Sequence, residues 1–165
     1  MIEQKEEFLK NRFIALLRQI PTETHPAWGK MTLQQMIEHF ADSVRISSGK
    51  TVPPDLNTPE DQLAKYQEFL MSDRPFKENT INPLLPELPA PVRNKSSEDA
   101  LQELQKELDH FFSVFNVNEH LVTLHPVFGE LNYQMNVQLL YKHAVHHLRQ
   151  FGVDVVEKQK EKQAT

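Results

Sequence analysis

Four stretches of this chain repeat apolar residues at intervals of three and four, and that period constrains the fold more than any other feature. Phe8, Leu9, Phe13, Leu16, Leu17 and Ile20 mark the first helix, over residues 2–20, which Pro21 ends. Leu33, Met36, Ile37, Phe40 and Val44 mark the second, which reaches about Ser48. Thr32 offers its N-cap, Gln35 the capping-box partner, and Met31 against Met36 a hydrophobic staple. Leu101, Leu104, Leu108, Phe111, Phe112 and Phe115 mark the third, with Ser97 as its cap. Tyr133, Val137, Leu140, Ala144, Leu148 and Phe151 mark the fourth, between a cap at Asn132 and Gly152. Each stripe must bury itself against another, so the expectation is an all-α four-helix bundle.

The prolines fall between these stripes. Residues 50–57 read as a loop, and Thr58-Pro59 as the cap and first-turn proline of a short extra helix ending near Leu70. From Ser72 to Ser96 the chain carries Pro75, Pro83, Pro86, Pro89 and Pro91, which excludes regular helix and predicts a long surface crossover. A crossover there lets the second and third helices run parallel, in up-down-down-up order. The 165 residues suit a single domain over 1–156, with a charged tail over 157–165 expected to fray. No apolar run approaches the ~20 residues of a membrane helix, and the charged start, Met1 to Glu7, lacks the apolar centre of a signal peptide. A cytoplasmic protein is expected.

Two features of composition remove whole classes of function. There is no cysteine, hence no disulfide, no thiolate ligand and no cysteine nucleophile; any thiol chemistry must use a thiol from outside the chain. The net charge is −5 with neutral histidines, and no face carries the long basic stripe that phosphate neutralisation needs. Nucleic acid and membrane are therefore not expected as partners. A small-molecule substrate is, and a homodimer stays open.

Helical geometry sorts the eight histidines. His143 and His147 are four apart and project from one face of the fourth helix, at the edge of its apolar stripe. His146 lies further round, toward the polar face of Lys142 and Arg149. His110 lands opposite the stripe of the third helix, toward solvent, and His120 falls in a loop. His39 flanks the stripe of the second helix beside Gln35 and Ser43, while Glu38 and Asp42 turn away from that flank. At a rise of 1.5 Å per residue, His39 sits roughly 10 Å from Thr32, and the midpoint of His143 and His147 roughly 10 Å before Gly152. In antiparallel helices with flush ends the three imidazoles are level; in parallel ones they miss by roughly 9 Å. Three neutral imidazoles would leave an ion its charge and at least one open position, the pattern of catalytic zinc; nickel, copper and iron suit the same ligands. Alternatively, each ring merely caps the core edge through one hydrogen bond. Gln150, three past His147 on the same face, either orients a ligand or substrate through its amide or faces solvent.

An internal echo precedes two of the helices: His25-Pro26-Ala27-Trp28-Gly29 before the second, and His125-Pro126-Val127-Phe128-Gly129 before the fourth. Proline rigidity and glycine permissiveness make it a recurring turn, with a role for His25 or His125 beside the site as the other reading. The run Lys142-His143-Ala144-Val145-His146-His147-Leu148-Arg149-Gln150-Phe151-Gly152, with Trp28-Gly29-Lys30-Met31-Thr32 leading to His39-Phe40, resembles the DinB-like metal-binding superfamily. More narrowly it resembles a domain-of-unknown-function branch that shares the His-Pro turn and the His-His-Leu-Arg-Gln-Phe-Gly ending. The likeness covers the order of all four helices, with its motifs in residues 25–40 and 125–152. It implies an up-down-down-up bundle holding a divalent ion, often nickel or zinc, on His39, His143 and His147. Characterised relatives in that superfamily include transferases that use a low-molecular-weight thiol and a thiol-dependent isomerase, and a metal-dependent transferase using an external thiol is the first expectation for this chain. The wider family ends His-His-Arg-Gly-Gln where this chain has His146-His147-Leu148-Arg149-Gln150, a departure that puts substrate contacts near 148 and 149 in doubt, so transferase activity does not carry over with the resemblance. A metal-dependent hydrolase and a non-catalytic, metal-binding or stress-response scaffold are the alternatives.

Overall fold

The structure, a computed structural model, describes residues 1–78 and 88–155. The expected frayed tail, 157–165, and Pro83 and Pro86 of the crossover lie outside the described residues. The chain is mostly helical, with one small sheet.

The first stripe forms α1 (Ile2–Asn11) and α2 (Phe13–Gln19) instead of one helix over 2–20. Five residues span 140° around a straight helix, yet Phe8 and Phe13 are both buried with their rings stacked 6.1 Å apart. A widened φ of −120° at Arg12 accompanies that shared orientation, and hydrogen bonds to and from Arg12 bridge the break. The second stripe forms α3 (Leu33–Ser48) with the capping box as expected: Gln35 N–H donates to Thr32 Oγ1, and Thr32 N–H to Gln35 Oε1.

Thr58 does not cap a helix. Its hydroxyl donates to the Val127 carbonyl at 2.7 Å, a tertiary bond that turns the side chain toward the hairpin. The short helix begins later, with a 3-10 turn at Glu60–Gln62 leading into α4 (Leu63–Met71). The third stripe forms α5 (Ser97–Val117), capped by Ser96 and not Ser97. Adjacent serines offer the same oxygen, and the stripe leaves a one-residue shift undecided. The fourth forms α6 (Tyr133–Gln150), whose cap is Asn132 as expected.

The helical expectation holds apart from one small hairpin, which it did not include. β1 (Thr123–His125) and β2 (Gly129–Leu131) pair antiparallel, Thr123 opposite Leu131 and His125 opposite Gly129. Its turn is built by the second His-Pro segment: His125 Nδ1 accepts from the Val127 and Phe128 amides. Gly129 takes a left-handed φ of +75°, and a Cβ there would meet the Leu63 side chain at 3.2 Å.

The stripes of α1, α2, α3, α5 and α6 meet in one core around Phe13, Phe40, Phe111, Met36 and Leu108. A second, smaller cluster of Leu70, Phe128, Leu131 and Leu139 ties α4 and the hairpin to the other side of α6. Lys142, expected on the polar face, is instead buried there. Its ammonium donates to the carbonyls of Phe69, Leu70 and Ser72 at the end of α4, where Phe69 also accepts from Ser72 N–H and the other two from Gln138 Nε2. Among the described residues, no helix is long and apolar enough to cross a membrane.

Candidate metal centre

His39 comes from the middle of α3, and His143 and His147 from consecutive turns near the end of α6. The structure brings the three together: one ring nitrogen from each lies within 4.8 Å of the other two. The ring centroid of His39 is 5.3 Å from that of His143 and 5.4 Å from that of His147. Nε2 of His143 and Nε2 of His147 are 2.7 Å apart. The elements meet there because the ends of the helices are tied. Ala27 N–H, just before α3, donates to the Gln150 carbonyl at the end of α6. At the other end, Thr123 donates to the Ser47 carbonyl and accepts from Asn136 Nδ2, joining the last turn of α3 to the first of α6.

All three rings are held neutral. Burial pushes His143 well below the usual imidazole range, with the neighbouring histidines adding to it. Burial likewise pulls His147 down to about 3 and lowers His39, Asp42 partly offsetting the latter. Phe40, fully buried, stacks on His143 with centroids 4.8 Å apart and planes at 29°, walling the cluster from the core. Neutral imidazoles with converging nitrogens are the donor set that zinc, nickel, copper or iron takes, and the three lie close enough to bind one ion. Among the described residues no carboxylate joins them. Glu38, one residue before His39, turns away as expected and accepts from the Arg93 and Asn94 amides.

The remaining candidates divide. Gln150 is buried and does not face solvent: its Oε1 lies 2.8 Å from His147 Nδ1, and its Nε2 donates to the Trp28 carbonyl at 2.9 Å. His146 is a correction, since the polar face expected for it is covered. Its ring is half-buried beside Trp28 and Phe76, with centroids 5.4 and 6.2 Å away, and 5.2 Å from His147. His125 serves the hairpin turn, and burial lowers it to about 4. His25 and His120 are exposed, and His110, expected in solvent, is partly covered on α5. Sequence reasoning missed the Trp28 carbonyl and Phe76. The tryptophan-glycine pair was visible, but a backbone acceptor leaves no mark on residue type, and Phe76 sits in the crossover without a periodic pattern.

Compared with protein-family models, curated proteins and solved structures, the chain finds no match in any of the three.

Proposed function

We propose that this chain binds a divalent transition-metal ion, nickel or zinc, on His39, His143 and His147, and uses it to transfer a low-molecular-weight thiol. The convergence of three neutral imidazoles from two helices carries the reading. The same proposal includes a DinB-like, up-down-down-up bundle. Its support is the pairing of contacts along the helices. Arg45 meets Glu103 and Lys50 meets Glu107, so α3 and α5 advance together. Arg18 meets Glu98 while Lys10 lies over Phe112, so α1 and α2 oppose α5. The tied ends described above set α3 against α6.

The ion would supply Lewis acidity at a position the three ligands leave open, favouring the thiolate form of a bound thiol at neutral pH. The chain's own part is to hold three uncharged nitrogens level and to keep the core side dry through Phe40. Uncharged ligands leave the full positive charge to attract an anionic fourth donor. With no cysteine in the chain, the thiol comes from outside.

Untagged protein should hold one ion per chain by elemental analysis. His39→Ala, His143→Ala and His147→Ala should lose it, and His110→Ala should keep it. Equal retention in all four variants would sink the site. Cobalt-loaded protein should gain a near-ultraviolet charge-transfer band when thiol is added, and thiol attack on an electrophile should outpace the free thiol at the same pH. A cobalt spectrum unmoved by thiols would remove the transfer reading and leave metal binding alone.

A further inference from the structure

The Gln150 amide touches both the histidine cluster and the turn that leads into α3, and its two ends are not interchangeable. The Trp28 carbonyl can only accept, so the end facing it at 2.9 Å must be the amide nitrogen. The oxygen therefore faces His147 Nδ1 at 2.8 Å and can only accept in turn, which puts a proton on Nδ1. A neutral imidazole with its proton on Nδ1 carries its lone pair on Nε2, the nitrogen 2.7 Å from His143. The turn is shaped for this contact. Gly29 has a left-handed φ of +76°, and a Cβ at that position would stand 3.1 Å from Gln150 Nε2. The Gln150 backbone is held as well, its carbonyl accepting from Ala27 N–H at 2.7 Å.

We propose that Gln150 is a positioning residue that fixes His147 as the Nδ1–H tautomer, aiming its Nε2 lone pair at His39 and His143 in the metal-free protein. The consequence for metal affinity rests on the function proposed above; the tautomer does not. His147 is then ready to ligate as it stands. His143, whose Nε2–H donates to His147, is the ring that must move its proton to Nδ1 before both can ligate one ion through Nε2. The proton stays on the ring, so the rearrangement adds no net charge. Gly29 acts through Gln150, because a larger residue would push the amide off the Trp28 carbonyl and free it to turn.

The test is the long-range nitrogen-15 spectrum of metal-free protein at pH 7, joined to cobalt affinity. His147 should appear as the Nδ1–H tautomer in the wild type and lose that preference in Gln150→Met. Cobalt affinity should fall about 10–100-fold in Gln150→Met, the usual cost of losing a group that orients a ligand. Gln150→Glu separates orientation from scaffolding: it can still accept from Nδ1–H but cannot donate to Trp28, and should bind cobalt within about 3-fold of wild type. Equal weakening of the two variants, with melting temperatures lowered alike, would reduce Gln150 to a clasp for the turn and overturn the proposal. So would an Nε2–H signal for His147 in the wild type. Wild-type protein that shows the expected tautomer but binds no cobalt would instead defeat the metal-binding reading and leave this one standing.

Discussion

At the residue scale, His125 shows most directly what burial does to an imidazole. Burial lowers it from 6.5 to about 4, and protonation would also set an N–H against the two amide donors of Val127 and Phe128. The unfolded chain then binds a proton below about pH 6.5 that the folded chain refuses, so stability from this group is complete above that pH and is lost as pH falls toward 4. His125→Asn retains a short acceptor for the turn without a titrating group. It should lose less stability than wild type between pH 7 and 4.5, by about 1–3 kcal/mol in urea melts, whereas a parallel loss in both proteins would show that His125 does not carry the effect. The spacing of His143 and His147, and the level of His39, follow from helix geometry, and those three residues meet. The surroundings of His146 and His125 depend on the crossover and the hairpin, which no helical period describes.

At the element scale, the apolar stripes located every long helix because burial on one face is written directly into residue order. The caps at Thr32 and Asn132 followed from the same reasoning. What failed was short or tertiary. Strands of three residues are too brief for a period of two to register, and the start of α4 moved because Thr58 bonds the hairpin. Lys142 was misplaced for a related reason. Its angle on α6 reads as polar, but the end of α4 covers it and uses the ammonium as a cap from another helix. Cations at a helix C-terminus and charge-assisted bonds to carbonyls both stabilise. Lys142→Met, which keeps the stem against the ring of Phe69, should cost about 1–3 kcal/mol. The loss should concentrate in α4, so amide exchange at Phe69 and Leu70 should accelerate while the amides of α5 stay protected. Uniform acceleration throughout the chain would mean that Lys142 supports the whole core and not one helix end.

For the whole molecule, the same burial that readies the cluster makes the chain acid-sensitive. His39, His125, His143 and His147 are all lowered chiefly by burial, His147 to about 3 and His125 to about 4. Between about 4 and the unfolded value near 6.5, the unfolded chain binds two more protons than the folded one at His125 and His147, and His39 and His143 act in the same direction. Stability therefore falls with acid, by as much as about 1.4 kcal/mol per pH unit for each proton the folded chain refuses. A domain of this size holds about 5–15 kcal/mol in all, so two refused protons over two pH units remove a large share of it. A bound ion adds to the folded side by mass action, about 4 kcal/mol at a thousand times its dissociation constant, and does so only while its ligands are unprotonated. Metal-free protein should thus show a nearly flat melting temperature from pH 8 to 7 and a steep decline below 6, with cooperative acid unfolding. Added zinc should raise the melting temperature at pH 7 and carry the acid midpoint downward, and a chelator should reverse both shifts. His39→Ala should abolish the zinc shift, while His125→Asn should keep it and lose only its own share of the acid slope. A melting temperature that stays level from pH 7.5 to 5 would show that these histidines are not held neutral by burial, and that the cluster is open to water in a way its packing against Phe40 denies.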